Sequence, residues 1–341
     1  MDSISLTEDG LTGPCPMCER KKTVSTSKKI ENIIDHTSIL LSITIVLSRY
    51  FRNFMGSQCK SVIKCTAKVQ KLNNMTLLYV NDGCTVMIEA RKFTVRSFRK
   101  NIVGPLDFTF QNKTIILGSN GSGKTSIVKA ICGLYPYAGS LKVNGNEVSS
   151  IKASGMVAAN IPEIYSIAGR VYDIAEIFSE IGGLDLAAFM DFLDDMNLKK
   201  IAEKPFGSLS TGEMKIAMAA MSFSRKPSVL IMDEPFENLD GRRRAIMIDR
   251  MLNYEGDVVI VTHEIEVLKH FGGYSVHFLM DGMMQGPVES SALSRSKIVR
   301  GEASGSIATL IMGGERYSIV EGGEPGEGIL SAGTVDRIYG A

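Results

Sequence analysis

The chain has 341 residues, 44% of them hydrophobic and 22% charged, which excludes a disordered chain, a collagen-like repeat and a coiled-coil rod. The length allows two domains of average size, or one large domain with extensions. Because 38 Lys and Arg residues balance 37 Asp and Glu residues to a net charge of +1, the chain as a whole has no basic field of the kind that binds nucleic acid.

The first 86 residues differ in composition from the rest and are predicted to be an N-terminal extension of unknown role. Their apolar stretch at residues 37–48 is shorter than the about 20 residues that cross a bilayer, and it follows a polar start, so we expect neither a transmembrane helix nor a signal peptide. An amphipathic helix on a membrane surface is an alternative. Cys15 and Cys18 have half the spacing of a zinc site; because the second half is missing, we interpret them as reduced cytosolic thiols.

Residues 87–290 are predicted to form an α/β domain, because short apolar runs, glycine turns and helical stretches alternate there. An Asn-Gly turn within residues 142–148 indicates a hairpin that belongs with antiparallel strands around residues 86–110. The apolar periodicity at about 163–222 is typical of helices and predicts a helical insert. Residues 291–341 are rich in glycine but keep two alternating runs, so we expect a small C-terminal β appendage.

The strongest motif is a glycine-rich loop that follows an apolar run at residues 113–117 and precedes a predicted helix. It matches G-x-x-x-x-G-K-[ST], the phosphate-binding P-loop, in which backbone N–H groups converge on phosphate oxygens. Lys124 is expected to meet the β- and γ-phosphates and the Thr125 hydroxyl to bind Mg²⁺. The predicted ATP-binding residues here are Gly118, Ser119, Asn120, Gly121, Ser122, Gly123, Lys124, Thr125 and Ser126.

A second motif places Asp233 and Glu234 at the end of an apolar run that starts at Val229. In P-loop NTPases an Asp at this place holds Mg²⁺, so we assign that role to Asp233. Glu234 is then the candidate that polarises the attacking water. Since adjacent strand residues point to opposite faces, the alternative is that Glu234 only caps the strand end.

About 20 residues before this acidic pair, the sequence Leu209-Ser-Thr-Gly-Glu213 resembles the signature sequence of ABC ATPases. Asn238-Leu-Asp240 is similar to the D-loop of that family, and His263, after the next apolar run, resembles its switch histidine. Phe98 is the best match to the aromatic residue that stacks on adenine, and Phe93, Phe108 and Phe110 are alternative candidates for that role. The resemblance covers residues 87–290.

The resemblance implies a P-loop NTPase fold of the ABC ATPase type, ATP and Mg²⁺ as cofactors, and ATP hydrolysis coupled to transport. It implies that Glu234 and His263 are catalytic and that ATP joins two copies head to tail, either two of this chain or one with a related ATPase subunit. In such a pair, Ser210, Thr211, Gly212, Glu213 and Asp240 would serve ATP. Glu163 stands where the family carries a glutamine; it is retained as an ATP-site and Mg²⁺ candidate, although its charge could slow closure.

The same resemblance implies ABC transmembrane subunits on separate chains and a place at the cytoplasmic face of the cell membrane. Tyr165, Ile167 and Val171 are expected to supply apolar contacts to such a partner. One alternative is a soluble ABC ATPase that acts on nucleic acid or ribosomes, but the usual second nucleotide domain or long coiled-coil insert is missing, so we expect no nucleic acid partner. The other alternative is an ATP-dependent regulator outside transport that hydrolyses ATP inefficiently.

Overall fold

A computed structural model describes residues 5–7, 10–14, 21–24, 66–72, 75–81, 86–97, 100–150, 155–167, 169–322 and 328–336. The chain divides into two compact units, Met1–Thr85 and Val86–Ala341. The interpretations of Cys15 and Cys18, of the apolar stretch at residues 37–48 and of Phe98 concern positions outside the described residues.

The first unit is described only as strands. Three of them form an antiparallel sheet, and the other two pair with each other as an antiparallel ladder. They are β1 (Ser5–Thr7), β2 (Gly10–Pro14), β3 (Lys21–Val24), β4 (Thr66–Leu72) and β5 (Met75–Asn81).

The second unit alternates strands and helices, as the sequence predicts for an α/β protein. Its strands are β6 (Val86–Ser97), β7 (Lys100–Gln111), β8 (Thr114–Gly118), β9 (Tyr137–Val143), β10 (Asn146–Glu147), β11 (Val157–Ala159), β12 (Val229–Asp233), β13 (Asp257–Thr262), β14 (Ser275–Met280), β15 (Met283–Glu289), β16 (Ser296–Arg300), β17 (Ser306–Met312) and β18 (Glu315–Glu321). Its helices are α1 (Lys124–Ile131), α2 (Pro162–Tyr165), α3 (Val171–Gly182), α4 (Leu186–Asp195), α5 (Thr211–Ser224), α6 (Gly241–Leu252) and α7 (Ser290–Leu293).

The central sheet has six strands in the order β11-β12-β13-β8-β14-β15, parallel except for β15 at the edge. Strands β8, β12, β13 and β14 are buried on both faces along most of their length, which explains why they read as continuous apolar runs. Alternation assigns their side chains to two hydrophobic clusters: Ile115 and Leu117 of β8 belong to one, and Ile116 belongs to the other. The carboxyl ends of β8, β12 and β13 therefore meet at one edge, where the P-loop, the acidic pair and His263 begin.

A four-stranded antiparallel sheet, in the order β10-β9-β6-β7, shares one of the two clusters with the central sheet and with α1. The predicted hairpin is confirmed: β9 and β10 pair around Asn144 and Gly145, both of which have positive φ, as a two-residue turn of this kind needs. β9 pairs with β6, as the sequence indicates.

Helices α2 to α5 span residues 162–224, close to the predicted bounds of the helical insert, and contribute to the other cluster. The expectation that Tyr165 and Val171 offer apolar contacts to a partner is wrong. Both are fully buried, and the Tyr165 hydroxyl is hydrogen-bonded to Ser222 at 3.0 Å. Ile167 is 38% exposed, and Ile181 of α3 is 73% exposed. Val171 and Ile174 face the hydrophobic cluster, whereas Ile181, on the same helical face as Ile174 but in the last turn of α3, lies at the surface.

The C-terminal part contains the predicted β appendage, a three-stranded antiparallel sheet in the order β16-β18-β17. Its buried residues Leu310 and Ile319, and Val335 further on, belong to the same hydrophobic cluster as the helices of the insert. None of the helices described above has the length and apolar character of a membrane-spanning segment.

Candidate functional site

The P-loop forms the turn between β8 and α1, as its sequence context predicts. Gly123 precedes α1 with a φ of 99°, and a Cβ added there would lie 2.0 Å from Cγ2 of Val103. Gly121 also has a positive φ, 81°, but has open space around it. Gly123 is therefore required both by its backbone conformation and by the close approach of β7.

Lys124 is folded back over this loop. Its ammonium donates hydrogen bonds to the carbonyls of Gly118 at 2.7 Å and Ser119 at 2.9 Å, and lies 3.5 Å from Oε1 of Glu234. The side chain is only 6% exposed. Ser122 Oγ is buried and has no hydrogen-bond partner within the described part of the chain. A buried polar atom without a partner is costly, so the loop has unused capacity to bind a polar ligand.

Thr125 and Asp233 come together across the P-loop and the end of β12. The Thr125 hydroxyl donates a hydrogen bond of 2.7 Å to Oδ2 of Asp233. Oδ1 of the same carboxylate is buried without a partner among the described residues. Burial raises the pKa of Asp233, against the hydrogen bond from Thr125 and the positive charge of Lys124, which lower it. A hydroxyl and a partly unsatisfied carboxylate next to a phosphate loop fit Mg²⁺, which prefers oxygen ligands and is bound through few protein groups.

Asn160, which follows β11, fixes the main chain of Asp233. Its Oδ1 accepts the Asp233 N–H at 2.6 Å, and its Nδ2 donates to the Asp233 carbonyl at 3.0 Å. The side chain is 4% exposed. No sequence motif gives Asn160 a role; its position directly after a short apolar run, Val157–Ala159, is the signal that could have found it.

Glu234 and His263 form a compact pair at the ends of β12 and β13. Nδ1 of His263 lies 3.0 Å from Oε1 of Glu234, while Oε2 accepts hydrogen bonds from the Thr262 hydroxyl at 2.9 Å and the His263 N–H at 3.4 Å. Glu234 has a φ of 43°, unusual for a residue with a side chain. Both side chains are slightly less than one fifth exposed, so water reaches them.

The C-terminal segment is hydrogen-bonded to the main chain around His263. Val335 donates its N–H to the His263 carbonyl at 2.9 Å, and the Gly333 carbonyl accepts the N–H of Ile265 at 2.9 Å. One residue further, Oδ1 of Asp336 accepts the N–H of Asn120 in the P-loop at 3.3 Å. No motif in the sequence indicates that residues 333–336 reach this edge of the sheet.

Residues 210–213 form the first turn of α5. Ser210 Oγ accepts the N–H of Glu213 at 3.3 Å, and the Glu213 carboxylate accepts the N–H of Ser210 at 2.9 Å, the reciprocal pair called a capping box. A salt bridge of 2.8 Å from Lys204, with the bonds from Ser210, lowers the pKa of Glu213 to about 2. Thr211 is the exposed first residue of the helix, and Gly212 lies so close to the Asn238 carbonyl that an added Cβ would approach it to 3.0 Å.

Two further predicted site residues have other partners. Asp240 caps α6, accepting the N–H of Arg243 at 2.9 Å. Glu163, in α2, forms a salt bridge of 2.5 Å with Lys129 of α1; burial acts to raise its pKa, but the Lys129 hydrogen bond and charge bring it below its usual value. The structure thus brings together the P-loop, Asp233, Glu234 and His263, and it places residues 210–213, Asp240 and Glu163 in contacts of their own.

Residues 105–237 match the family model described as ABC transporter. The chain is 27% identical over 208 residues to the hemin import ATP-binding protein HmuV of Bartonella quintana (strain Toulouse), covering 54% of this chain and 79% of the relative. It is 25% identical over 194 residues to the manganese transport system ATP-binding protein MntA of Synechocystis, covering 52% and 74%. A solved structure of a provisionally assigned cobalt transport ATP-binding protein, cbiO-2, superposes with a TM-score of 0.70 at 32% identity and covers 74% of this chain and 99% of its own.

Proposed function

The chain belongs to the family of ABC transporter ATP-binding proteins, and from that premise we propose which residues perform its reaction and with what partners it works. As a member of this family it binds ATP and hydrolyses it to power transport. The observation that carries the assignment of residues is the meeting of two pairs at the P-loop. Asp233 accepts a hydrogen bond from Thr125, and Glu234, which contacts His263, lies 3.5 Å from the Lys124 ammonium.

The P-loop binds the triphosphate. Its backbone N–H groups at the N-terminus of α1 face the phosphates, and the dipole of that helix favours their negative charge. The Lys124 ammonium, which now contacts two loop carbonyls, exchanges them for the β- and γ-phosphate oxygens. The low exposure of this side chain strengthens the charge interaction because little water screens it.

Thr125 and Asp233 bind Mg²⁺ together with the phosphates. When bound there, Mg²⁺ would neutralise charge on the phosphate oxygens during transfer. Asp233 contributes a carboxylate whose second oxygen is unpaired within the described residues, and Asn160 prevents its main chain from moving. Thr125 keeps the carboxylate turned towards the loop.

Glu234 is the general base. Its carboxylate accepts a proton from the attacking water as the water oxygen bonds to the γ-phosphorus and the bond from that phosphorus to the β–γ bridging oxygen breaks. An ionised carboxylate can only accept hydrogen bonds, so the Nδ1 of His263 next to it carries a proton. This leaves Nε2 of His263 to face the γ-phosphate, to which it donates a hydrogen bond when both ring nitrogens carry a proton.

Two copies of the chain act together. In the described residues, the side chains of Ser210 and Glu213 are hydrogen-bonded within this helical turn, and Glu213 is also bonded to Lys204. We assign Ser210 and Gly212, at the N-terminus of α5, to the γ-phosphate held by a second ATPase subunit arranged head to tail. The N–H groups and the dipole at the N-terminus of α5 favour a negatively charged phosphate, as they do at the N-terminus of α1.

The work is delivered to separate transmembrane subunits, and the chain lies at the cytoplasmic face of the membrane. The exposed Ile167 and Ile181 on the helical insert are candidates for that contact. Because HmuV is named an importer of hemin and the other relatives are named for manganese and cobalt transport, we propose import as the direction.

The test is Mg²⁺-dependent ATP hydrolysis by purified protein over a series of protein concentrations. Turnover per subunit that rises with protein concentration supports the two-copy arrangement. The variant Glu234→Gln should bind ATP as the wild type does and lose turnover by about a hundredfold or more. ATP binding without turnover in the wild type, with or without membrane subunits, would favour the regulator instead.

A further inference from the structure

Lys215 of α5 reaches across to the loop that carries Glu234. Its ammonium donates a hydrogen bond to the main-chain carbonyl of Glu234 at 3.3 Å and forms a salt bridge with the carboxylate of Glu237. The Lys215 side chain is only 17% exposed. One lysine therefore joins the helix that begins at the signature sequence to the loop that follows β12.

The main chain of Glu234 needs such a restraint. Its φ of 43° is in the left-handed region, which a residue with a side chain enters only when its surroundings impose it. The Glu234 N–H is already fixed, because it donates to the Val261 carbonyl at 2.8 Å. The bond from Lys215 to the carbonyl holds the other side of the same residue, so the direction in which the carboxylate points depends on both.

Two opposite charges meet in this contact, because the carboxylate of Glu237 offsets the charge of Lys215. The hydrogen bond from Lys215 lowers the pKa of Glu237, against the opposing effect of burial. The first turn of α5 also touches the same loop directly, since Gly212 lies next to the Asn238 carbonyl. The helix and the loop are thus joined at two points.

We propose that Lys215 is a positioning residue for ATP hydrolysis, which acts by holding the Glu234 main chain from α5. The proposal rests on the assignment of Glu234 as the general base. Through Lys215, a shift of α5 would also shift the loop of Glu234. The N-terminus of α5 is the part assigned to the nucleotide held by the second subunit. The carbonyl bond is the contact that matters for turnover, and Glu237 orients the ammonium towards it.

The experiment compares Lys215→Met with Lys215→Arg, using ATP turnover and ATP binding as separate readouts. Lys215→Met should lower kcat by about ten- to thirtyfold, in the range seen when a partner that orients a reacting group is removed, and leave the KM for ATP within about twofold. Lys215→Arg, which can still donate to the carbonyl, should retain kcat within about threefold of the wild type. The control is Lys200→Met at an exposed position, which should change neither value.

Glu237→Gln separates the two contacts of the lysine. This variant removes the charge of the salt bridge but keeps an acceptor, so kcat should fall by less than about threefold. Wild-type kcat in Lys215→Met would overturn the proposal. So would equal losses of kcat and ATP binding, or failure of Lys215→Arg to recover turnover in a protein that melts as the wild type does, because a general packing role would give those results. A wild-type protein without turnover would instead reject the proposed function.

Discussion

Nδ1 of His263 lies 3.0 Å from Oε1 of Glu234, so the imidazole and the candidate base are hydrogen-bonded directly. Replacing the imidazole removes one of the groups that orient the carboxylate and the proposed donor to the γ-phosphate. We expect His263→Ala to lower ATP turnover by about ten- to a hundredfold, with little change in ATP affinity. Steady-state kinetics together with equilibrium binding of ATP would measure both.

The matched control for this variant is His270→Ala, a histidine at an exposed position outside the site. It should turn over ATP as the wild type does. If His263→Ala kept full turnover, neither the orientation of Glu234 by His263 nor the contact with the γ-phosphate would be needed for hydrolysis.

Gly123 and Val103 form a close contact that limits the P-loop to glycine at this position. A Cβ at residue 123 would lie 2.0 Å from Cγ2 of Val103, and the φ of 99° is unfavourable for any other residue. Gly123→Ala should weaken ATP binding by about a hundredfold or more, because the loop has to shift away from the phosphates.

A second substitution separates the steric contact with Val103 from the unfavourable φ of residue 123. Val103→Ala removes the methyl group that the new Cβ would strike, so the double variant should recover part of the lost affinity, while the unfavourable φ prevents full recovery. Titration of each variant with a fluorescent ATP analogue would show this. Equal affinity in Gly123→Ala with and without Val103→Ala would mean that the contact is not the cause.

The sequence was sufficient for the fold and for the groups carried by short motifs. Continuous apolar runs predict the buried parallel strands, and alternation along β12 predicts which face Asp233 shares. Asp233 lies on the face with Val229 and Ile231, which belong to the cluster around α1, and so it meets Thr125. Local patterns of this kind need no knowledge of distant contacts.

Contacts made by residues far apart in the sequence could not be predicted in the same way. Asn160 binds Asp233 from 73 positions away, and Asp336 reaches Asn120 from 216 positions away. Neither residue belongs to a motif. The surface role given to Tyr165 and Val171 failed for a related reason: apolar spacing shows which residues share a helix face, but it does not show whether that face is covered.

Asp336 places a carboxylate at the P-loop, where it accepts the N–H of Asn120 at 3.3 Å. A negative charge at this point repels a triphosphate bound by the same loop. Asp336→Asn keeps an oxygen acceptor and removes the charge, so ATP should bind about two- to fivefold more tightly, a change of the size expected for an exposed charge. Because salt screens such charges, the difference should shrink as ionic strength rises.

The matched control is Glu302→Gln, which removes an exposed carboxylate in the C-terminal part that pairs with Arg316. It should leave ATP affinity unchanged at every salt concentration. Weaker binding by Asp336→Asn would show that the carboxylate supports the loop and does not oppose the nucleotide.

His277 of β14 is a buried histidine that makes an edge contact with Phe110, with the ring centroids 4.9 Å apart. It is 4% exposed, and burial lowers its pKa from 6.5 to about 4. Between these pH values the unfolded chain binds a proton at this position and the folded chain does not. The contribution of His277 to the free energy of unfolding is therefore fully present above about pH 6.5. It is lost as the pH falls towards 4, by about 3 kcal/mol in total.

The measurement is the free energy of unfolding in urea at several pH values between 4 and 7, for the wild type and for His277→Leu. The leucine has no proton to bind, so the dependence of stability on pH should be shallower by about 1.4 kcal/mol per pH unit over this interval, the effect of one proton. At pH 7 the apolar side chain should be tolerated, because it fills a similar space beside Phe110. Parallel pH profiles for the two proteins would mean that His277 is protonated equally in the folded and unfolded chains, and that other groups cause the loss of stability in acid.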